Sequence, residues 1–395
     1  MTISGGIRGL VDAGFDEVVD LRRALHARPE LAFAEHATSA LLAERMGSLG
    51  WTALRCPTAT GAVAELRGGR PGRSVLIRAD IDALPVEEEL DVPWRSTVDG
   101  LMHACGHDAH AAILCGVAAT LAARAEDLPG RYVAVFQPAE EALGGARAML
   151  DGGLLDIAHA DAACGIHVAA PLPTGLVATR AGVFYSAGQG FTLEVRGAGG
   201  HGALMGRGGN VVLAAAELAA RLGEVVEGLD FEEVDCVCSA GAIHAGTAPN
   251  VVPRAATVSG TIRTFTQAQA TTTVSRLRRL CAEVAGSYDV EVDPRLTAST
   301  AAVVNDPGAT AAALRAVRSA LGEDRAFEMP PITPSDDMAE ILARIPGVYL
   351  AVGARPGARE PAQHHAADFS IDEEALRVGV LALATTAMAL AEEAG

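Results

Sequence analysis

Three short apolar runs in the first half of the sequence each end in a cluster of chemically active side chains. Val75-Leu76-Ile77 leads into Arg78-Ala79-Asp80-Ile81-Asp82, residues 132–136 lead into Pro138 and Glu140-Glu141, and residues 162–166 end at His167. Such runs read as buried strands, and the Ala-rich residues 109–124 read as a helix between two of them. Strand and helix in alternation predict an α/β fold, a mixed and mostly parallel sheet flanked by helices. In open sheets of that kind ligands bind outside the carboxyl ends of the strands, which is where these polar residues gather.

At 395 residues the chain is too long for one compact core, so two domains are expected. The texture changes near Ala181. Residues 191–196 alternate like a half-exposed strand, 211–222 form an apolar helix, 234–240 and 256–265 are strands, and 274–285 are helical. This β-α-β-β-α-β order predicts an α+β sandwich over residues 182–295, inserted into a larger domain made of residues 1–181 and 296–395.

Acidic side chains outnumber basic ones 49 to 31, giving a net charge of −18. That field repels phosphate backbones and anionic lipid surfaces, so neither nucleic acid nor membrane is an expected partner. Every basic side chain is arginine. Without lysine there is no Schiff-base residue and no carboxylated lysine to bridge two metals, so a two-metal site must bridge through other ligands. Cys56, Cys105, Cys115, Cys164, Cys236, Cys238 and Cys281 are odd in number and irregular in spacing, which argues for a reducing compartment. No apolar run of signal-peptide type opens the sequence, and no stretch reaches membrane-spanning length without Gly or charges; a cytoplasmic location is expected.

Five candidate metal donors stand out: Cys105, His107, Glu141, His167 and one of His364 or His365. Thiolate, imidazole and carboxylate are what zinc and its borderline neighbours accept. Taken singly, Cys105 reads as a core thiol and His107 as a helix-start residue, but His103 and His110 beside them shift the reading toward metal. Glu140-Glu141 is a costly pair after a buried strand unless a cation compensates. One carboxylate can bind that cation while the other takes a proton from water, whose pKa the cation lowers from ~15.7 to ~7. Asp80 and Asp82 are placed to orient a ligand histidine, or to form a turn before Pro85. His201 sits on a Gly-rich turn from which it could donate to a developing oxyanion, and Asn250 lies on a second polar turn. Cys236 and Cys238 alternate toward one face and read as core. His26, His36, His159 and His244 lack convergent neighbours and read as structural.

Taken together, these strings resemble the aminoacylase, hippurate hydrolase and indoleacetyl-amino acid hydrolase branch of the dinuclear metallopeptidase (M20) and amidohydrolase family. The matching pieces are Leu25-His-Ala-Arg-Pro-Glu-Leu31, Ile77-Arg-Ala-Asp-Ile-Asp-Ala-Leu-Pro85, Met102-His-Ala-Cys-Gly-His-Asp108, Phe136-Gln-Pro-Ala-Glu-Glu141 and Gly165-Ile-His-Val168. Gly199-Gly-His-Gly202, residues 245–253 and His365-Ala-Ala-Asp-Phe369 follow in order. The resemblance implies a zinc-exopeptidase-like metallohydrolase domain with a lid and dimerisation domain inserted. It implies two divalent ions per chain (Mn or Zn, with Co and Ni as alternatives) held by Cys105, His107, Glu141, His167 and His365. His365 is chosen because the family's last ligand lies four residues before a Phe. Glu140 is the implied base, with Asp80 and His201 also counted as catalytic and His201 and Asn250 as substrate-binding. A homodimer, or a tetramer, would let His201 and Asn250 reach the partner's site. The implied substrate is a small N-acyl amino acid or amide; a deacylase or carboxypeptidase acting on a biosynthetic intermediate or dipeptide is the alternative. A metal-free Cys105 nucleophile and a non-catalytic binding protein are remoter readings. Three strings depart from the family: Ala366-Ala367 replaces its usual Pro, His201-Gly-Ala-Leu-Met205 its His-Ala-Ala-x-Pro, and Pro334-Ser-Asp-Asp-Met338 its Gly-x-Glu-Asp-Phe.

Overall fold

The computed structural model of the protein describes residues 3–204, 208–357 and 361–392; of the strings above, Met205 lies outside them. The chain divides into two compact units, Met1–Gly182 with Val304–Met329 and Asp337–Gly395, and Val183–Val303 with Pro330–Asp336. The boundary expected after residue 295 is corrected, because it falls inside a strand whose pairing runs on to Thr300 opposite Gly188. Residues 330–336 join the second unit because Ser186 donates to the carbonyls of Ile332, Thr333 and Pro334.

The first unit begins with α1 (Ile3–Ala13), α2 (Phe15–His26), α3 (His36–Ser48), β1 (Thr52–Leu54), β2 (Ala62–Arg67) and β3 (Arg70–Asp80). It continues through α4 (His107–Ala122), β4 (Pro129–Gln137), α5 (Gly145–Asp151), α6 (Leu154–Ala158), β5 (Ala162–Ala169) and β6 (Val177–Thr179). The second unit carries β7 (Ala187–Arg196), α7 (Val211–Arg221), β8 (Val237–Ala245), β9 (Ala255–Thr264), α8 (Gln267–Tyr288) and β10 (Glu291–Thr300). The chain then returns to the first unit with α9 (Pro307–Leu321), β11 (Ala326–Glu328), α10 (Met338–Leu342), β12 (Gly347–Gly353) and α11 (Glu374–Glu392).

Eight strands of the first unit form one mixed sheet in the order β1-β2-β4-β3-β5-β12-β6-β11. Its four central strands, β4-β3-β5-β12, run parallel, and antiparallel pairs flank them. Helices cover the sheet because its central strands are apolar on both faces. Val75, Leu76 and Ile77 of β3 are fully buried, and each such side chain contributes about 1.5–3 kcal/mol. Helix α4 is buried along nearly its whole length. It approaches α11 closely at Gly116, where a Cβ would lie 2.6 Å from a Val380 methyl. Helix α11 is long and apolar enough to cross a membrane, yet 83% of that stretch is buried inside the protein, so it is a core helix. Parallel strands end on one edge of a sheet, so Asp80, Gln137, Ala169 and Gly353 bring four following loops together.

The second unit has the expected β-α-β-β-α-β order. Its sheet, β8-β9-β7-β10, is antiparallel throughout, and α7 and α8 pack on one face over Leu193, Val195, Val258 and Ile262. Cys236 and Cys238 are buried as read from the sequence. All seven cysteines are free.

Candidate metal centre

The centre is assembled from the loops at the carboxyl edge of the first unit. Gly106 caps α4 with φ +90°, and a Cβ there would meet Val168 at 2.4 Å, so only glycine fits this turn. The turn sets Cys105 and His107 on either side of one point. Cys105, His107 and Glu141 have donor atoms within 4.8 Å of one another, and so do Cys105, His167 and His364. The Cys105 sulfur is common to both groups.

Each histidine is oriented by the partner of its other nitrogen. His107 Nδ1 lies 3.0 Å from the Asp82 carbonyl and 3.2 Å from Asp82 Oδ1, which leaves Nε2 facing the centre. That Nε2 is buried without a hydrogen-bond partner, 3.9 Å from Glu141 Oε1 and 4.0 Å from Glu140 Oε2. His167 Nδ1 donates to the Val168 carbonyl at 2.7 Å, and its Nε2 lies 3.6 Å from the Cys105 sulfur. His365 Nε2 lies 3.3 Å from Glu141 Oε1, while its backbone N–H holds the loop to the Ala104 carbonyl. His364 Nδ1 lies 3.7 Å from the Cys105 sulfur.

The two glutamates are held from behind. Asp82 accepts the backbone N–H of Glu140 on one oxygen and that of Glu141 on the other, both at 3.0 Å. Ala139 adopts a left-handed φ of +55°, a strained value for alanine, and donates its N–H to the buried Glu35 at 2.8 Å. The Asp337 N–H points at Glu140 Oε1 from 3.4 Å. Asp337 is itself fixed by Arg78, by Gln137 and by the Ala146 N–H. Asp80 sits between Arg78 at 2.8 Å and His110 Nδ1 at 2.5 Å; His110 accepts the Val168 N–H on its other nitrogen.

Burial raises the Cys105 thiol well above its usual range, and the Glu141 charge adds to this. Burial disfavours a charged His107, but Asp80 and Cys105 outweigh it and hold its pKa well above the usual value. Burial and then His110 push His167 well below its usual value. Asp80 stays well below the carboxylate range despite burial, because His107, His110 and Arg78 face it. A thiol, a proton-hungry imidazole and three carboxylates gathered in a buried pocket form a donor set for cations, which displace such protons on binding. The orphaned His107 Nε2, with the Cys105 sulfur and the Glu141 carboxylate within 4.8 Å, fits a site for divalent metal ions.

Glu140, Asp80, Cys105, His107, Glu141, His167 and His365 are thus all brought together within the first unit. His201 and Asn250 belong to the second. They are exposed and lie side by side there: His201 pairs with Val251, and the Gly202 N–H donates to the Asn250 carbonyl at 2.9 Å. Sequence reasoning passed over Arg78, Glu35 and Asp337. It also left His26 as isolated, whereas His26 is fully buried between Asp108, 2.8 Å away, and Glu88, 3.1 Å away.

Residues 76–389 match the family described as Peptidase family M20/M25/M40. The chain is 33% identical over 386 residues to thermostable carboxypeptidase 2 of Saccharolobus solfataricus, covering 94% of this chain and 95% of that one. It is 34% identical over 363 residues to the N-acetylcysteine deacetylase of Bacillus subtilis, covering 91% and 93%. A solved structure described as a dinuclear metal binding peptidase from the M20 family, the YXEP protein of Bacillus subtilis, superposes with a TM-score of 0.77 at 30% identity and covers 95% of this chain and 98% of that one. Likeness of this extent runs through both units and all the strands that carry the metal centre: the chain belongs to Peptidase family M20/M25/M40.

Proposed function

We propose that the protein hydrolyses the amide bond of an N-acyl amino acid or related small amide, releasing a carboxylate and a free amine. The observation that carries this reading is Glu140, a buried carboxylate beside the shared-sulfur donor set whose backbone and side chain are both positioned from behind. A binding protein has no use for such a base.

In this reading Cys105, His107, Glu141, His167 and His365 hold two divalent ions, Mn or Zn. When bound, the ions supply Lewis acidity toward the amide carbonyl and make water acidic enough to lose a proton near neutrality. Glu140 takes that proton as the new C–O bond forms, then returns it to the nitrogen as the C–N bond breaks. Asp82 keeps Glu140 and His107 in register through the whole cycle. His201, supplied by the other subunit of a homodimer, donates to the developing oxyanion, with Asn250 beside it to bind substrate.

The carboxypeptidase and deacetylase names of the relatives describe one chemistry. A carboxypeptidase removes an amino acid whose N-acyl group is a peptide, so the two readings differ only in the acyl group. The test is amine release from a panel of N-acyl amino acids and dipeptides, comparing chelator-stripped protein with protein reloaded with Mn or Zn. Turnover only after reloading is expected. Turnover that survives stripping would point to Cys105 as a metal-free nucleophile, and none in either state to a binding protein.

A further inference from the structure

The two histidines that flank the Cys105 sulfur are in opposite hydrogen-bonding states. His167 spends its Nδ1–H on the Val168 carbonyl, so the nitrogen facing the sulfur carries a lone pair. His364 is reversed: its Nε2 accepts the Ala170 N–H at 3.3 Å, and the nitrogen facing the sulfur is Nδ1, at 3.7 Å. A neutral imidazole has one N–H, and the accepting nitrogen cannot be the one that bears it. The proton is therefore on Nδ1, the nitrogen 3.7 Å from the Cys105 sulfur, and the Cys105 backbone is a second hydrogen-bond partner of this ring. The ring is walled in by Phe369, 4.6 Å between centroids, and by His167, 5.3 Å between centroids.

We infer that His364 is a positioning residue that donates a hydrogen bond to the Cys105 thiolate and is not itself a metal ligand. This rests on the reading of Cys105 as a metal-binding thiolate. Ligation through Nδ1 would move the proton to Nε2, where it would face the Ala170 N–H, donor against donor, in a half-buried site. A hydrogen bond to a coordinated thiolate withdraws electron density from sulfur, and so moderates how strongly one sulfur donates to two ions. The adjacent His365 has its Nε2 toward Glu141 and is free of that constraint. The pair His364-His365 thus divides the work, one residue supplying a proton to sulfur and the next a lone pair to metal.

The probe is cobalt(II) loaded into the purified full-length protein, with cobalt counted per chain and the thiolate-to-cobalt charge-transfer band recorded in the near ultraviolet. H364F removes the donor while keeping a planar ring. It is expected to retain two cobalt ions and to move the band to longer wavelength, whereas H364N, which restores an N–H near the Nδ1 position, returns the band toward the wild-type position. H365F is expected to lose one cobalt. Loss of a cobalt from H364F would make His364 a ligand and overturn the inference, as would an unmoved band with two cobalts bound. A wild-type spectrum without any thiolate band would instead bring down the reading of Cys105 beneath it. Nitrogen-15 spectra of the histidine rings in the zinc-loaded wild-type protein need no variant: a proton found on Nε2 of His364 rejects the proposal.

Discussion

Asp82 shows how much one side chain can coordinate. Its carboxylate receives the N–H groups of Glu140 and Glu141 and lies 3.2 Å from His107 Nδ1, so it fixes the base and two donors at once. Asp82→Asn leaves one accepting oxygen and turns an NH2 group toward another donor. Metal affinity is expected to fall about 10–100-fold, as for other partners of metal ligands, with a parallel loss of turnover. Competition with a chromophoric chelator measures this, and an affinity equal to wild type rejects the role. Glu35 is a second case, with a pH signature. Burial raises its pKa above the ordinary value, against the hydrogen bonds it receives. A raised folded-state pKa means that its contribution is fully present below the unfolded pKa, about 4.3, and is lost as pH rises through the folded value. Glu35→Gln keeps an oxygen for the Ala139 N–H and cannot ionise. Its melting temperature relative to wild type should therefore climb between pH 4 and pH 8; a flat difference would show that Glu35 is not strained by its charge. The candidate donors were legible because reactive side chains clustered at a strand end, a helix start or a short loop are conspicuous. Glu35 and Asp337 were not, since their partners lie 104 to 259 positions away in sequence, and Asp337 sits in a string that departs from the family pattern.

Among the elements, the turn into α4 is the one the centre depends on most. Gly106→Ala meets two separate penalties, a left-handed φ that costs an alanine about 1–2 kcal/mol and a Cβ contact with Val168 at 2.4 Å. The variant should melt at lower temperature and bind less metal, since Cys105 and His107 lie on either side of the turn. Adding Val168→Ala removes the contact but not the backbone strain, so recovery is expected to be partial in both melting temperature and metal content. Full recovery would mean that the backbone angle is irrelevant. The elements were read from periodicity with uneven success, for a physical reason. Helix α8 extends over Gln267–Tyr288, well beyond residues 274–285, because its first turns are polar and show no apolar spacing. Its start was nonetheless written in the sequence: Thr266 and Gln269 form a reciprocal capping box. Helix α4 begins at His107, two residues before the Ala-rich stretch, because its first turn is occupied by site residues.

For the whole molecule, metal binding and folding are expected to be coupled, because the proposed donors come from four separated segments: Cys105 with His107, Glu141, His167 and His365. An ion that joins them acts as a cross-link present only in the folded first unit, and each ion at 100 times its dissociation constant adds about 2.7 kcal/mol. In a domain of more than 150 residues, about 1 kcal/mol moves the melting point by about 2–4 °C, so stripping each ion should cost roughly 5–10 °C. The second unit has its own core of Phe191, Leu193, Val258 and Leu277 and contributes none of these donors. The sequence offers a convenient way to observe the units apart. The chain has two tryptophans, Trp51 and Trp94, and both lie in the first unit. Tryptophan fluorescence should accordingly melt earlier after chelation and recover on adding Mn or Zn. Amide hydrogen exchange in β7 and β9 should change little in the same samples, because their protection comes from the antiparallel ladder and from α7 and α8. A tryptophan midpoint that ignores chelation would mean that the cluster of Cys105, His107, Glu141, His167 and His365 holds no metal that matters to the fold. A loss of protection in β7 and β9 equal to that in β3 and β5 would mean that the two units unfold as one.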